Sequence, residues 1–205
     1  MEFTPFLLVF HITGRCNLNC GYCYASKYSK YDDLSLEIIK NILNQAVDLG
    51  TKNVIFSGGE PLLHSEIYKI LEYSHNLSLT NHITSNGTTI TENTIKKLKK
   101  YNVDVTISVD GSCKKINDSI RGKGTFDKSI KAIQNLKKNG IYTSLRMTLM
   151  KNNYYDVKNY LDLALNNNVD RCIIERVTPI NKNENYNQLT FKDIINVFKL
   201  MKSVG

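Results

Sequence analysis

The stretch that decides the fold is Phe6–Cys23, FLLVFHITGRCNLNCGYC, in which an apolar run leads into three closely spaced cysteines. The run Phe6–Ile12 has the length and composition of a buried β-strand. It is much shorter than the ~20 residues of a membrane span, it follows an acidic Glu2, and it lacks a small-residue cleavage site. We therefore expect neither a membrane span nor a signal peptide, and we place the cysteines in the loop after the first strand.

The rest of the chain alternates between apolar runs rich in β-forming residues and segments with helical periodicity. The expected strands are Phe6–Ile12, Asn53–Phe56, Leu79–Thr84, Val103–Val109, Tyr142–Leu149 and Arg171–Val177. The expected helices are Leu36–Leu49, Glu66–Tyr73, Thr91–Lys100, Phe126–Lys138, Tyr154–Leu165 and Phe191–Met201. Strands that are apolar on both faces and joined by helices are typical of a parallel sheet.

This order predicts an α/β fold: a partial TIM barrel, that is, a curved parallel (β/α)6 sheet with outer helices. A flat doubly wound sheet is the alternative, because periodicity does not distinguish the two. In both architectures ligands bind at the carboxyl ends of the strands. The Asn-rich stretch Asn181–Asn187 is expected to be a loop on that side of the sheet.

Size and charge set limits on the class of protein. At 205 residues the chain has the size of one domain, and we expect residues 1–205 to form a single unit. The net charge is +8, but many of the lysines fall near predicted helix C-termini, where the helix dipole favours cations. We therefore do not expect nucleic-acid binding.

The five cysteines are unevenly distributed, with three of them inside residues 16–23. A secreted disulfide framework would use an even, dispersed set, so the cluster favours a metal site in a cytoplasmic protein. We expect Cys172, in an apolar run, to be buried and Cys113 to be a surface thiol.

Three kinds of site are compatible with the cysteine loop. Cys16, Cys20 and Cys23 can hold three irons of a [4Fe–4S] cluster and leave one iron open to a small molecule. A structural zinc ion would need a fourth ligand, for which His11 is the nearest candidate in the sequence. A redox dithiol of the Cys-x-x-Cys type is the third possibility.

The spacing Cys16-x3-Cys20-x2-Cys23, with the aromatic Tyr22 before the last cysteine, resembles the signature of the radical S-adenosylmethionine (AdoMet) superfamily. The resemblance covers nearly the whole chain and is greatest to peptide- and protein-modifying maturases, including anaerobic sulfatase-maturing enzymes. It implies a [4Fe–4S] cluster whose open iron is chelated by AdoMet, and reductive cleavage of AdoMet to a 5′-deoxyadenosyl radical that abstracts a substrate hydrogen.

The segment after the second expected strand is similar to the family's Gly-Gly-Glu-Pro motif. Taken alone, Ser57–Pro61 is equally well an ordinary turn, although two glycines allow a close backbone approach to a ligand. The resemblance assigns Gly58, Gly59 and Glu60 to the amino group of AdoMet.

Later strand ends extend the resemblance. Taken alone, Ser85 and Asn86 belong to an Asn-Gly turn; the resemblance places both beside the cofactor. It also places Ser108 at the ribose and Arg121 at the AdoMet carboxylate, for which a loop arginine in water is the alternative.

The remaining expectations concern adenine and Arg146. The resemblance assigns adenine to the backbone of Tyr22 and to an apolar residue on strand six, Ile173, although Ile173, Ile174 and Val177 also suit the core. Arg146, within the fifth strand, is either a pocket contact or a structural salt bridge.

The resemblance also implies partners and alternatives. It predicts a flavodoxin- or ferredoxin-like electron donor and a peptide or small-molecule substrate. The maturases carry further cysteines in a C-terminal extension, and this sequence, which ends at Gly205, has no second cysteine cluster. This difference from the maturases is compatible with a minimal core, with a truncated product, or with a chain that acts together with a partner protein. A cluster- or AdoMet-binding scaffold without turnover and a zinc-stabilised barrel are the alternative functions.

Overall fold

The computed structural model describes residues 4–28, 32–178 and 188–202. Its strands form one six-stranded sheet in which neighbours follow the order of the sequence and all pairs are parallel. The strands are β1 (Leu7–Thr13), β2 (Asn53–Gly58), β3 (Thr80–Ser85), β4 (Val103–Ser108), β5 (Thr143–Leu149) and β6 (Arg171–Arg176). The six expected strands are confirmed, with ends displaced by one or two residues.

Seven α-helices are described between and after the strands. They are α1 (Leu36–Asp48), α2 (Ile67–Asn76), α3 (Glu92–Lys100), α4 (Lys114–Arg121), α5 (Thr125–Lys138), α6 (Val157–Asn166) and α7 (Phe191–Lys202). Parallel crossovers are right-handed, so a sheet that never reverses its strand order keeps its helices on one face. A doubly wound sheet reverses its order at a switch point. The sheet is therefore the curved (β/α)6 partial barrel, and the flat alternative is wrong.

The core lies between the sheet and the helices. In β4, Val103, Val105 and Ile107 face the helices and are at most 3% exposed, whereas the alternate residues Asp104, Thr106 and Ser108 are half-buried. The expectation of strands apolar on both faces is therefore wrong for the concave face. An eight-stranded barrel closes and fills its interior with apolar side chains, but this six-stranded sheet leaves its concave face open to polar groups.

Helix α4 is an element that the sequence interpretation treated as a loop. Its eight residues carry only two apolar side chains, Ile116 and Ile120, which is too short and polar a pattern to predict a helix. Arg121 therefore lies in the last turn of a helix and is buried rather than held in water.

Single residues define the ends of other helices. The Ser35 hydroxyl accepts a hydrogen bond from the Ile38 amide at 3.3 Å and caps α1. Gly50 and Gly140 follow helices with positive φ angles of 88° and 73°. The stretch Asn181–Asn187 lies outside the described residues. Among the residues that are described, no helix is long and apolar enough to cross a membrane.

Candidate active site

A cleft opens at the carboxyl ends of the strands, between the cysteine loop and the ends of β2–β5. It brings together most of the residues that the sequence singled out. Its lining includes Cys16, Cys20, Tyr22, Cys23, Gly58, Gly59, Ser85, Asn86, Ser108, Arg121 and Arg146. Glu60 lies buried beneath this lining, and Ile173 is not part of it.

The three cysteine thiols face this cleft from a short loop. The Cys23 amide donates to the Cys20 carbonyl at 3.0 Å, and the Leu18 amide donates to the Cys16 sulfur at 3.4 Å. Burial raises the pKa of Cys16, and it raises the pKa of Cys20 to about 11. These thiols are therefore protonated at neutral pH unless a metal displaces the proton.

The cysteine thiols are compared here with the metal sites considered above. In the described part of the chain, no three His, Cys, Asp or Glu side chains converge closely enough to hold one metal ion. His11 Nε2 instead lies 3.0 Å from the Tyr24 hydroxyl. A single zinc ion needs converging ligands, whereas each cysteine of a cubane binds a different iron. The donor set therefore fits a [4Fe–4S] cluster, in which each of the three thiols would bind a different iron.

The cysteine loop is fastened to the end of β3. Asn86 Nδ2 donates to Asn17 Oδ1 at 2.9 Å, and Asn17 Nδ2 donates to the Thr88 hydroxyl at 2.8 Å. Asn86 Oδ1 in turn accepts from the Thr88 amide at 2.8 Å. Asn86 thus holds the loop that carries Cys16. The role of Asn17 was missed because its partners are about 70 residues distant.

A second fastening lies at the start of the loop. The Asp33 carboxylate accepts from the Thr13 hydroxyl at 2.7 Å and from the Ser65 amide at 2.9 Å, and it pairs with Arg15. Burial raises the pKa of Asp33, but these hydrogen bonds outweigh it and leave the pKa well below its usual value. Asp33 remains ionised and ties β1 to the segment before α2.

The two glycines after β2 serve a contact within the protein. The Gly59 amide donates to the Thr13 carbonyl at 2.8 Å, and the Glu60 amide donates to the Arg15 carbonyl at 2.7 Å. A Cβ on Gly59 would lie 2.2 Å from the Arg15 oxygen, and one on Gly58 would lie 2.3 Å from the Thr13 oxygen. Glycine is therefore required here so that the turn after β2 can approach the start of the cysteine loop. The sequence interpretation had attributed the two glycines to the approach of a ligand.

Glu60 joins β2 to β3 from beneath the cleft. Its Oε1 accepts from the Ser85 hydroxyl and its Oε2 from the Asn86 amide, both at 2.8 Å. Burial raises the pKa of Glu60 to about 6, although these hydrogen bonds act in the opposite direction. The structure therefore brings Glu60, Ser85 and Asn86 together, and they contact one another.

Arg121 is held by a group that the sequence interpretation did not assign, Asp110. The Arg121 Nε lies 2.7 Å from Asp110 Oδ2, and both side chains are less than 10% exposed. The Tyr22 hydroxyl donates to the same carboxylate oxygen at 2.7 Å and accepts from Arg121 Nη2 at 2.6 Å. Tyr22 was expected to act through its backbone; its side chain is also part of the site.

The carboxylate of Asp110 is itself fixed in place. Its Oδ1 accepts from the Thr148 amide at 2.8 Å, and its own amide donates to Asn117 Oδ1 at 3.0 Å. Burial lowers the pKa of Arg121, but the charge of Asp110 outweighs it and leaves the pKa above its ordinary value. The sequence signal for this pair was an aspartate directly after a buried strand. Such an aspartate needs a charged or hydrogen-bonding partner, because an unpaired buried charge is costly.

On the far side of the cleft, Ser108, Arg146 and Ile173 lie opposite one another on β4, β5 and β6. Among described residues, the Ser108 hydroxyl has no protein hydrogen-bond partner. Arg146 lines the cleft and also pairs with Glu175. It is therefore both a pocket residue and a member of a salt bridge, which the sequence analysis had treated as alternatives.

The apolar residues of β6 divide between environments. Ile173 is half-buried on the concave face, so its assignment to the core is wrong, because strand alternation directs only Ile174 toward the helices. Val177 is buried, but in a small separate cluster with Ile120 and Met150 beside the site. Cys172 is half-buried rather than fully buried, and Cys113 is exposed as expected.

Comparison with known proteins identifies relatives of this fold and site. The sequence profile of the Radical SAM superfamily matches residues 10–164. The chain is 33% identical over 169 residues to the Fe-coproporphyrin III synthase of Methanosarcina barkeri, covering 80% of this chain and 42% of that protein. It is 32% identical over 149 residues to the mycofactocin maturase MftC of Mycolicibacterium smegmatis, covering 71% of this chain and 38% of that protein.

The fold has close counterparts among solved structures. Streptococcus suis SuiB bound to precursor peptide SuiA superposes with a TM-score of 0.87 and 22% identity, covering 98% of this chain and 46% of SuiB. The chain thus spans less than half the length of these proteins. Since the family profile matches most of the sequence, the chain belongs to the radical SAM superfamily, whose members are enzymes that use a [4Fe–4S] cluster and AdoMet.

Proposed function

We propose that this chain is the catalytic core of a radical SAM enzyme, with Cys16, Cys20 and Cys23 as the ligands of the cluster. When bound, the cluster and AdoMet would supply the chemistry, in which reductive cleavage of AdoMet yields methionine and a 5′-deoxyadenosyl radical that takes a hydrogen atom from the substrate. The observation that carries the proposal is that the three thiols and the strand-end groups line one cleft.

The protein's own contribution is to hold and orient AdoMet in this cleft. Ser108 is the proposed ribose contact. The support for this assignment is that the Ser108 hydroxyl has no protein hydrogen-bond partner within the described ranges. Arg121 is the proposed partner of the AdoMet carboxylate. Its guanidinium has five N–H donors, and the contacts to Asp110 and Tyr22 occupy only part of them.

The amino group of AdoMet is proposed to meet Gly58, Gly59 and Glu60. The carboxylate of Glu60 already accepts three hydrogen bonds, from the Ser85 hydroxyl and from the Asn86 and Leu62 amides. A carboxylate offers about four lone-pair sites, so capacity remains for an ammonium group. Ser85 and Asn86 are then proposed to act chiefly by keeping this carboxylate in position.

Adenine is proposed to lie between the Tyr22 backbone and Ile173. Ile173 faces the concave side of the sheet next to Arg146, which lines the cleft. Its half-buried side chain offers apolar surface on that side.

The test is anaerobic reconstitution with iron and sulfide, followed by AdoMet and dithionite. We expect a brown protein that forms 5′-deoxyadenosine. Cys20→Ala should lose the cluster absorbance and the product, whereas Cys113→Ala, which changes an exposed thiol outside the cleft, should keep both. A fully loaded cluster that forms no 5′-deoxyadenosine would instead support a scaffold without turnover.

We propose a peptide substrate and a flavodoxin- or ferredoxin-like electron donor in a reducing cytoplasm. The support for a peptide is that one relative is named a mycofactocin maturase and that SuiB was solved bound to a precursor peptide. The five cysteines carry no disulfide, which suits a reducing compartment.

A tetrapyrrole is the second candidate substrate, because the relative from Methanosarcina barkeri is named Fe-coproporphyrin III synthase. Binding of iron-coproporphyrin III, followed through its visible absorbance, tests this alternative directly. Saturable binding in the presence of AdoMet would favour it over a peptide.

A further inference from the structure

The outer surface of the protein carries a group of lysines along the furrow between α3 and α5. The group consists of Lys96 and Lys99 on α3 and Lys128 and Lys131 on α5, and we call it the lysine furrow. All four residues are exposed. Lys99 Nζ donates to the Asn139 carbonyl at the end of α5 at 3.0 Å, so this side of α3 faces α5. Lys96 lies one turn earlier on the same side of the helix.

The lysines of α5 lie away from the neighbour on its other flank. Lys137 pairs with Asp170, directly before β6, at 2.6 Å, so the flank that carries Lys137 faces β6. At about 100° per residue, Lys128 and Lys131 lie roughly 180° and 120° from Lys137 around the helix axis. Both are therefore directed to the α3 side and to the outer surface.

The four lysines lack the carboxylate partners that other lysines of the protein have. Within the part of the chain that the structure describes, none of the four forms a salt bridge. The two helices carry only two acidic side chains, Glu92 and Asp127, and Asp127 pairs with Lys114 of α4. The furrow therefore has an excess of positive charge. Five lysines elsewhere on the surface each pair with a carboxylate: Lys69, Lys100, Lys114, Lys137 and Lys151.

The helix dipole does not account for the lysines on α5. Cations are favoured in the last turn of a helix. Lys128 lies in the first turn of α5, and Lys131 also lies in its N-terminal half. An anionic partner at the furrow would relieve the repulsion among these charges.

One end of the furrow reaches the cysteine loop. Ser129, next to Lys128, donates to the Asn86 carbonyl at 2.8 Å. Asn86 Nδ2 donates at 2.9 Å to Asn17 Oδ1, and Asn17 directly follows Cys16. Cys16 is exposed, whereas the other two thiols of the loop are half-buried. A partner bound at this end of the furrow therefore lies near the most accessible of the three cysteines.

The composition of the surface favours a transient protein partner. None of the exposed large apolar side chains among the described residues belongs to α3 or α5. Lasting interfaces have an apolar core, whereas electron-transfer complexes are small and weak. Nucleic-acid sites use arginine forks on phosphates and aromatic rings on bases. The two helices have no arginine, and their one aromatic residue, Phe126, packs against the core.

We propose that the lysine furrow docks an acidic electron-transfer protein, which reduces the cluster held by the cysteine loop. The inference rests on the proposed function and specifies where its electron donor binds. Opposite charges steer the encounter and raise its rate, and the weak contacts allow the oxidised carrier to leave. The carrier loses one electron and the cluster gains it, and no atom is transferred.

The first experiment measures binding of an acidic flavodoxin and of an acidic ferredoxin, both oxidised, to the reconstituted protein at low ionic strength. The variant Lys128→Glu/Lys131→Glu reverses two charges of the furrow. The control Lys158→Glu/Lys199→Glu changes the net charge equally at exposed positions on α6 and α7. We expect the furrow variant to bind the tighter carrier about tenfold more weakly and with less dependence on salt, and the control to stay within about twofold of the wild type.

The second experiment follows reduction of the cluster by the bleaching of its visible absorbance, without AdoMet. The furrow variant should be reduced more slowly than the control by the reduced carrier. Dithionite needs no docking surface, so it should reduce both variants at the same rate. The melting temperatures of the two variants should also agree, since all four positions are exposed. Slower reduction of the furrow variant by dithionite as well would place the effect in the cysteine loop and overturn the proposal.

Three other results would also overturn it. They are failure of both carriers to bind the wild type, equal weakening of binding in the two variants, and tighter binding of a single-stranded DNA oligonucleotide than of either carrier at the furrow. Because binding and bleaching are measured without AdoMet, neither depends on AdoMet cleavage. Carrier binding and cluster bleaching without formation of 5′-deoxyadenosine once AdoMet is added would count against the proposed function alone.

Discussion

Asp110 lies at the centre of the contacts that fix Arg121. It is fully buried, it pairs with the Arg121 guanidinium at 2.7 Å, and it accepts a hydrogen bond from the Tyr22 hydroxyl at 2.7 Å. Removing one partner of a buried ion pair leaves the other charge unsatisfied. In the proposed function Asp110 is thus a positioning residue, which would act on AdoMet through Arg121.

We expect Asp110→Asn to lower the free energy of unfolding by about 3 kcal/mol, measured by urea denaturation of the cluster-free protein. It should also weaken AdoMet binding by roughly tenfold or more, because Arg121 loses its orientation. The double variant Asp110→Asn/Arg121→Met removes both charges and should recover stability without recovering AdoMet affinity. Equal recovery of both properties would show that Arg121 does not bind AdoMet.

Glu60 makes stability depend on pH. Its pKa is raised by burial from 4.5 to about 6 in the folded protein. Between these values the folded state binds more protons than the unfolded state, so the stability from protonated Glu60 is complete below pH 4.5 and is lost as the pH rises through about 6.

We expect this group to remove about 2 kcal/mol of unfolding free energy between pH 4.5 and pH 7, measured by urea denaturation. Several aspartates, among them Asp33, have lowered pKa values and act in the opposite direction. The difference between the wild type and Glu60→Gln across this window isolates Glu60. A difference that does not change with pH would contradict the prediction.

The site that the residues indicate without the family resemblance is the one whose spacing is local. Cys16, Cys20 and Cys23 could be recognised because all three thiols fall within one loop. Asp110 was not assigned, because only the fold brings the end of β4 to Arg121 at the end of α4 and to Tyr22 in the cysteine loop. The sequence identifies donors, and only the fold determines whether a donor faces the cleft or another side chain.

At the scale of elements, the order of strands and most helices could be predicted, because each buries one apolar stripe against a common core. Helix α4 could not, because its position is set by contacts of side chains rather than by an apolar stripe. The Asp118 carboxylate accepts the Gly124 and Phe126 amides and so joins α4 to α5. This junction places Arg121 beside the cleft.

The turn after β2 is the element most sensitive to a single methyl group. A Cβ on Gly59 would meet the Arg15 carbonyl oxygen at 2.2 Å, so the cysteine loop would have to move. We expect Gly59→Ala to lower stability by about 1–3 kcal/mol and to reduce iron incorporation. Gly21→Ala is the matched control, since that Cβ meets nothing within 4 Å. Equal iron content and melting temperature in the two variants would refute the loop-to-loop contact.

At the scale of the molecule, the parallel partial barrel could be predicted from the alternation of elements, but its open polar interior could not. Alternation along a strand shows that its two faces differ, as in the sequence VDVTIS of β4. It does not show whether the polar face meets water, another layer or a ligand. Closure of the sheet decides that, and closure is a property of all the strands together.

The cluster is expected to stabilise one end of the molecule rather than the whole. A ligand that binds only the folded state adds stability where its contacts lie. The cysteine loop is tied to the end of β3 through Asn17 and Asn86, and Asp33 ties its start to the segment before α2. Protection should therefore spread from residues 14–23 to residues 86–88, and should not reach the opposite ends of the strands.

Hydrogen exchange of the reconstituted and cluster-free proteins, followed by mass spectrometry, tests this. We expect slower exchange in those two segments and no change in α3 or α6, whose buried faces belong to the core behind the sheet. Asn17→Ala should uncouple the segments, so that the cluster still protects the cysteine loop but no longer residues 86–88. Uniform protection along the chain would mean that the fold itself, and not only this edge, is completed by the cluster.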